Sequence, residues 1–217
     1  MELAILSVNV GAVRAIGTQH GEAVLSAIAK QPLAKDSVRV GALGLEGDAQ
    51  ADLSAHGGVD KAVYAYPADH WPWWQNTHGL DCAPARFGEN LTLKGADESA
   101  VAIGDRFRWG EALLEISQPR SPCFKLGLHA WQDVPGHMTA SARSGWYLRV
   151  LEEGEAPVFG AAMRRVFESR GPSVRDAFLA AHHRGASLET LRRIHAAPAL
   201  SRSWRDSFAR KIAAFPG

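Results

Sequence analysis

Residues 103–117 read IGDRFRWGEALLEIS and consist of two short strand-like runs that meet at Gly110-Glu111. The first run, residues 103–109, alternates polar and apolar side chains, which is the pattern of a strand with one buried face. Glycine at the first central position of a two-residue connection is typical of a type II′ hairpin turn. These residues therefore predict a β-hairpin whose second strand ends at Ser117.

Further short strands are predicted on both sides of this hairpin. They are expected at residues 1–11, 38–40, 62–66, 90–93, 146–151 and 158–166. Glycines punctuate these strands at close spacing, which favours a barrel or a sandwich over repeated βαβ units. Residues 12–37 are weakly patterned, and residues 23–30 fit either a helix or an extended segment.

The composition changes near Arg170-Gly171-Pro172, where helical patterns replace strands. Ser173, Ser187 and Ser201 each stand where they can open a helix with one apolar face. Helices of about three turns are not stable alone, so we expect either a small bundle or a layer packed on the β domain. We predict a mainly β, barrel-like domain over residues 1–168 and an all-α three-helix extension over residues 169–217.

The overall composition is that of an ordinary soluble globular protein, with 217 residues, 46% hydrophobic and 22% charged. The formal net charge of +1 gives no basic field that would favour a nucleic acid polymer. No apolar run approaches the roughly 18 residues of a membrane span. Two cysteines, Cys82 and Cys123, fit a reducing compartment, and residues 1–8 lack signal-peptide features. We therefore expect a cytoplasmic protein.

The predicted hairpin runs into residues 117–126, which read SQPRSPCFKL. Pro119 and Pro122 restrict the backbone on both sides of Arg120, so the chain is stiff just before Cys123. Arg120 and Lys125 are cations on either side of the thiol, and nearby cations favour the thiolate, which acts as a nucleophile or metal ligand. The alternative interpretation is a buried structural cysteine at the end of a strand.

Two glycine-bearing stretches are further candidate sites. Residues 44–48 read GLEGD and residues 56–61 read HGGVDK. Glycines of this kind allow backbone N–H groups to face an anion, and Lys61 would add a positive charge to such a site. Residues 87–91 read FGENL, in which Gly88 permits close approach and Asn90 offers a donor and an acceptor for a heterocycle edge. A plain tight turn is the alternative for both stretches.

A single cysteine cannot hold a metal ion by itself, and the sequence has neither a C-x-x-C nor an H-E-x-x-H motif. A metal at Cys123 would therefore have to arrive already chelated by a cofactor. A hydrolase that pairs Cys123 with His56 or His129 as base stays open. His182-His183 is interpreted as a solvated pair on a predicted helix.

Six short motifs, taken in order along residues 1–166, resemble the MOSC family of molybdenum cofactor sulfurase C-terminal-like domains, and in particular its bacterial YiiM subgroup. They are GLEGD (44–48), HGG with DK (56–61), FGENL (87–91), IGD (103–105), SQPR with PC (117–123) and GWY (145–147). Residues 172–213 resemble the three-helix extension of that subgroup. The resemblance implies a MOSC-type β-barrel that binds a molybdenum cofactor.

The resemblance also implies roles for individual residues. By its position in the matched motif, Cys123 would be the protein ligand of molybdenum. On chemical grounds, Arg120 would lie beside it, and His56 or Glu89 would relay protons. Cofactor-binding residues would be Gly57, Gly58, Asp60, Lys61, Asn90, Lys30 and Lys125. The implied reaction is reduction of N-hydroxylated compounds such as N-hydroxylated purine base analogues.

Two partners are expected from the same resemblance. Electrons would come from a flavoprotein reductase, because no flavin, haem or iron–sulfur motif is present. The C-terminal helices would dock that reductase or a second copy of the chain in a homodimer. The alternatives are a non-catalytic carrier of the cofactor and a metal-free hydrolase dependent on Cys123.

Overall fold

The structure is a computed structural model that describes residues 1–49 and 57–215. The strands of the described residues are β1 (Glu2–Val10), β2 (Arg14–Gln19), β3 (Glu22–Ser26), β4 (Gln31–Pro32), β5 (Ser37–Gly41), β6 (Gly44–Leu45), β7 (Val63–Pro67), β8 (Leu91–Lys94), β9 (Arg106–Trp109), β10 (Ala112–Pro119), β11 (Trp146–Glu152), β12 (Gly154–Pro157) and β13 (Ala162–Phe167). The α-helices are α1 (Trp71–His78), α2 (Phe124–His129), α3 (Val134–Ser141), α4 (Val174–His182), α5 (Leu188–His195) and α6 (Arg202–Ala213). None of the helices in these two ranges is long and apolar enough to cross a membrane.

The larger sheet closes into a barrel. Its strand order is β13-β9-β10-β11-β7-β8-β1, and β1 pairs back onto β13, so the described residues form a seven-stranded ring with β4 attached to β1. The β7–β8 pair is parallel and the other pairs in the ring are antiparallel. The predicted barrel is therefore confirmed.

The hairpin over residues 103–117 is confirmed as β9 and β10. Ala112 pairs with Trp109, so Gly110-Glu111 is a two-residue turn, and Gly110 has φ +57°. A Cβ at Gly110 would lie 2.6 Å from the backbone oxygen of Glu155, so a larger residue would not fit there. Strand β10 is buried along its whole length, because the barrel core lies on one side and α4 packs on the other.

The C-terminal helices begin at the predicted capping serines. The hydroxyls of Ser173, Ser187 and Ser201 accept backbone N–H bonds at 2.9, 3.1 and 3.4 Å. The buried side chains of these helices, including Phe178 and Phe208, belong to the same hydrophobic core as the barrel strands. The helices are therefore a layer packed on the barrel and not a separate bundle. The boundary near residue 168 stays a prediction.

Some local predictions were wrong or incomplete. Residues 23–30 are not helical, because β3 pairs with β2 in a hairpin beside the barrel. Helix α1 begins only at Trp71, so Pro72 lies in its first turn, where proline is tolerated. Helices α2 and α3, which follow Cys123 directly, had no clear sequence signal.

Candidate functional site

A cavity opens where β10 ends and α2 begins. It contains six of the predicted site residues from the described part of the chain: Lys30, Lys61, Asn90, Arg120, Cys123 and Lys125. Other parts of its wall come from residues 26–28, Asp48, Tyr64 and Tyr147. Residues far apart in the sequence therefore meet around the thiol, because barrel closure brings the ends of several strands together.

Cys123 is a free, half-buried thiol at the start of α2. The backbone at Cys123 is extended, with φ −128° and ψ 168°. The N–H of Arg120 donates to the backbone oxygen of Gly145 at 3.2 Å, and the N–H of Leu126 donates to that of Cys123 at 3.0 Å. The loop is therefore fastened at both ends, in agreement with a stiff segment between Pro119 and Pro122.

Arg120 is the buried cation beside this thiol, with only 5% of the residue exposed. Its guanidinium carbon lies 5.2 Å from the centre of the Tyr64 ring, and Nη1 lies 3.5 Å from Met138 Sδ. Burial lowers the pKa of Arg120, but Tyr64, Tyr147 and Cys123 outweigh burial and leave the pKa above its usual value. Among the described residues, no carboxylate forms an ion pair with Arg120.

Two tyrosines lie beside Arg120: Tyr64, which the sequence did not single out, and Tyr147, which belongs to the GWY motif. The Tyr64 hydroxyl donates to the backbone oxygen of Ser144 at 2.9 Å, so its ring is fixed beneath the guanidinium. The Tyr147 side chain lies on the same cavity wall, close enough to interact electrostatically with Arg120. Its hydroxyl can donate a hydrogen bond to a ligand in the cavity. Burial raises the pKa of Tyr147, which keeps the phenol protonated.

Lys30 contributes a second buried cation, which is paired with Asp48. The other oxygen of Asp48 accepts from Asn90 Nδ2 at 2.8 Å. Burial lowers the pKa of Lys30, although the Asp48 carboxylate opposes that shift. Asp48 lies in the GLEGD motif, so the motif supplies a carboxylate that holds a lysine, and not only the expected glycines.

The structure corrects the predicted role of Asn90. Its Oδ1 accepts from the Tyr64 N–H at 3.0 Å, and its Nδ2 donates both to Asp48 and, at 3.1 Å, to the backbone oxygen of Asn9. The amide is therefore occupied by partners within the chain, which leaves little capacity to read a heterocycle. Asn90 instead forms hydrogen bonds to β1, β7 and Asp48, and so it connects these three segments at the cavity wall.

The predicted proton relay through Glu89 is not supported. Glu89 is fully buried, and its carboxylate accepts from the N–H groups of Ala85 and Phe87 at 2.9 and 3.0 Å and from the Thr92 hydroxyl at 2.8 Å. Burial raises its pKa, while these hydrogen bonds act in the opposite direction. Glu89 therefore organises the turn before β8.

Asp60 is also placed differently from the prediction. Its carboxylate pairs with Arg149 at 2.9 Å and accepts from the N–H of Arg202 at 3.3 Å, so it links the barrel to the start of α6. Gly57 and Gly58 lead into a short 3-10 turn, Val59–Lys61, where Gly58 has φ +92°. That turn brings Lys61 to the cavity wall.

Two histidines, His56 and His129, were proposed as bases for Cys123. His56 lies outside the described residues. His129 Nε2 is 3.3 Å from the backbone oxygen of Ala85, and burial lowers its pKa. Because His129 is absent from the cavity wall formed by the described residues, it is poorly placed to activate Cys123. Lys125, at the cavity mouth, donates to the backbone oxygen of Leu25 at 3.2 Å.

Comparison with known families agrees with this fold. Residues 52–162 match the model of the MOSC domain. The chain therefore belongs to the MOSC domain family, as its motifs indicated. Residues 172–215 match the model of the YiiM-like, 3-alpha helix domain, which places the protein among the YiiM-like members that carry the helical layer.

Individual relatives cover most of the chain. The "Uncharacterized protein YflK" of Bacillus subtilis (strain 168) is 40% identical over 209 residues, which is 95% of this chain and 93% of that protein. The crystal structure of YiiM from Geobacillus stearothermophilus matches with a TM-score of 0.80 at 34% identity, covering 97% of this chain and 99% of that one. A protein named "Reductase" from Gibberella moniliformis (strain M3125 / FGSC 7600) is 37% identical over 155 residues, covering 69% of this chain and 27% of the fungal protein.

Proposed function

We propose that the cavity binds a molybdenum cofactor, with Cys123 as the protein ligand of the metal, and that the protein reduces N-hydroxylated compounds to amines. The observation that carries the proposal is the pairing of a free thiol with Arg120, a buried guanidinium that no carboxylate of the described residues neutralises. A buried charge without a counter-ion costs several kcal/mol. An anionic ligand beside Cys123 would remove that cost.

The residues present fit a pyranopterin cofactor. The described residues contain no group of three or more His, Cys, Asp or Glu side chains that could hold a metal ion. A metal held by the described residues would have to bring most of its own ligands, as one held by a dithiolene does. Lys30, Lys61 and Lys125 on the cavity wall suit the phosphate and the sulfur anions of such a cofactor.

When bound, the cofactor would supply two electrons and the site at which the N–O bond breaks. The balance is R–NHOH plus two electrons and two protons to R–NH₂ plus water. Arg120 is placed to stabilise negative charge on the departing oxygen, and Tyr147 to donate a hydrogen bond to the same atom. Pro119 and Pro122 hold the backbone of Cys123 so that its sulfur stays directed at the cavity.

The electrons are expected to come from a flavoprotein reductase. The fungal relative named "Reductase" supports reduction as the class of reaction, although the match spans about a quarter of that protein. Candidate substrates are N-hydroxylated purine base analogues, hydroxylamines and amidoximes.

The Cys123→Ser variant tests the proposal. Protein from a host that makes the cofactor should contain molybdenum and pterin, and it should reduce benzamidoxime or N-hydroxylaminopurine with an electron donor. In Cys123→Ser we expect at least a hundredfold loss of turnover (roughly the scale of losing an essential catalytic group) with an unchanged circular dichroism spectrum.

Cys82→Ser is the matched control. Burial raises the pKa of Cys82 to about 11, and its sulfur lies 3.5 Å from the backbone oxygen of Leu80, away from the site. Its substitution should leave turnover unchanged. Full turnover in Cys123→Ser would refute the ligand assignment. Molybdenum bound without turnover would indicate a carrier, and thiol-dependent hydrolysis without molybdenum would indicate the hydrolase.

A further inference from the structure

The C-terminal layer contacts the loop that carries Cys123. His182, at the end of α4, has Nε2 at 3.0 Å from the hydroxyl oxygen of Ser121, two residues before Cys123. We infer that His182 is a positioning residue, which holds this loop from outside the barrel and makes the helical layer part of the candidate active site. His182 is exposed, as expected of a solvated residue, but it also has a partner in the loop. The inference rests on the proposed role of Cys123 and goes beyond it by adding a residue from the helical layer.

The loop depends on such a contact because of its own sequence. Pro119 and Pro122 have no N–H to donate, so they cannot fasten the backbone. The backbone bonds from Arg120 to Gly145 and from Leu126 to Cys123 secure its two ends. Between Arg120 and Cys123, the Ser121 side chain forms a hydrogen bond to a separate element, α4.

His182 is an exposed residue, but one side of its ring packs against the core. Its ring lies 4.4 Å from the Phe178 ring and 6.0 Å from the Trp204 ring, centre to centre, and both partners belong to the core. Burial, with smaller contributions from Lys211 and His183, lowers its pKa, which favours the neutral ring. A neutral imidazole nitrogen can accept the Ser121 hydroxyl proton as well as donate.

The same layer also holds the strand that precedes the loop. The N–H of Ser201, the capping residue of α6, donates to the backbone oxygen of Ser117 at 3.0 Å. Ser117 in turn donates its hydroxyl proton to the backbone oxygen of Asp60 at 2.6 Å. The helices therefore contact the segment on both sides of Arg120, once through Ser117 and once through Ser121.

The test uses the reactivity of Cys123 in the full chain, made in a host that lacks the cofactor and carrying Cys82→Ser. Cys123 is then the single thiol, since the chain has two cysteines. We expect His182→Ala and Ser121→Ala each to increase the rate of iodoacetamide alkylation about fivefold, the factor expected for losing one ordinary hydrogen bond. Hydrogen exchange of residues 120–126 should accelerate by a similar factor, and the double variant should add nothing further.

His183→Ala is the matched control, because the His183 ring is bonded to the backbone oxygen of Thr139 on α3, at 2.8 Å, and not to the loop. It should leave alkylation and exchange of the loop unchanged. His182→Gln, which keeps a hydrogen-bonding group, should restore slow alkylation in a folded protein.

Alkylation at the original rate in both His182→Ala and Ser121→Ala would overturn the inference. So would an equal acceleration in His183→Ala, because that would indicate general loosening of the helices. Neither measurement involves the cofactor. A chain that shows these effects but binds no molybdenum would therefore refute the proposed function and leave the positioning role intact.

Discussion

Arg120 shows how much of a site can depend on one residue. Its guanidinium is enclosed by the Tyr64 ring, Met138 and the Tyr147 hydroxyl, none of which carries a negative charge. In most buried settings an arginine is paired with a carboxylate. Arg120 has no such partner among the described residues, and we therefore expect an anionic ligand near Cys123 to serve as its counter-ion.

The Tyr147→Phe variant tests whether the Tyr147 hydroxyl contacts a ligand in the cavity. The variant keeps the ring and removes the hydroxyl, so we expect molybdenum content to persist and kcat to fall about 100- to 1000-fold, as for loss of one hydrogen bond to a developing charge. Tyr66→Phe is the comparison, because the Tyr66 hydroxyl accepts from Trp74 at 2.6 Å and lies outside the site. It should lower stability without lowering kcat. An unchanged kcat in Tyr147→Phe would exclude the contact.

Glu89→Gln distinguishes a structural carboxylate from a proton relay. A glutamine offers a single acceptor oxygen, so one of the N–H groups of Ala85 and Phe87 loses its partner. We expect the free energy of unfolding to fall by about 1–3 kcal/mol. Turnover per molybdenum atom should stay at the original value. A large loss of turnover with normal stability would restore the relay role.

At the level of elements, the turn before β8 approaches the segment after β3 closely. Gly88 has φ +78°, and a Cβ there would overlap the side chain of Ile28, which lines the cavity. The FGENL motif therefore contains glycine for two reasons, a left-handed backbone and a lack of space. The second reason depends on residues that are distant in the sequence.

Gly88→Ala should destabilise the protein by about 2–4 kcal/mol, because backbone strain and overpacking add. Gly79→Ala is the matched control: Gly79 has φ +65°, but its Cβ would meet nothing within 4 Å. It should cost about 1 kcal/mol, from backbone strain alone. Urea unfolding of the two variants measures the difference. Equal decreases in the free energy of unfolding would show that the contact with Ile28 does not contribute to the destabilisation.

At the level of the whole molecule, barrel and helical layer share one hydrophobic core. Phe208 on α6 is 1% exposed and belongs to the same cluster as Leu114 and Ile116 of β10. The Arg202–Asp60 and Ser201–Ser117 hydrogen bonds add polar links across the same boundary. We therefore expect barrel and helices to unfold together.

Phe208→Ala should lower the free energy of unfolding by about 3–5 kcal/mol in a single transition that tryptophan fluorescence and circular dichroism report alike. Phe215→Ala, just beyond the same helix and 37% exposed, should cost far less. If the helices of Phe208→Ala melted while the barrel kept its original midpoint, the shared core would not be cooperative. The predicted boundary near residue 168 would then mark two independent units.

Elements with local signals could be predicted from the amino-acid sequence alone. Alternation in residues 103–117, glycine at the hairpin turn and serines before three apolar helical faces predicted β9, β10 and α4–α6 correctly. The ordered motifs predicted the family and named Cys123 and Arg120. These features depend on the conformational preferences of a few neighbouring residues, so one amino-acid sequence is enough to predict them.

The tertiary structure decided how the polar residues of those motifs are used. Asn90, Glu89 and Asp60 looked like ligand groups, but strands and turns from distant parts of the chain occupy their hydrogen-bonding atoms. Tyr147 lies in the GWY motif and His182 in a predicted helix, but the sequence predicts a role for neither of them. Barrel closure and helix packing place them beside Arg120 and Ser121. A hydrogen bond depends on separation in space, and local sequence does not specify the separation between residues that are distant in the chain.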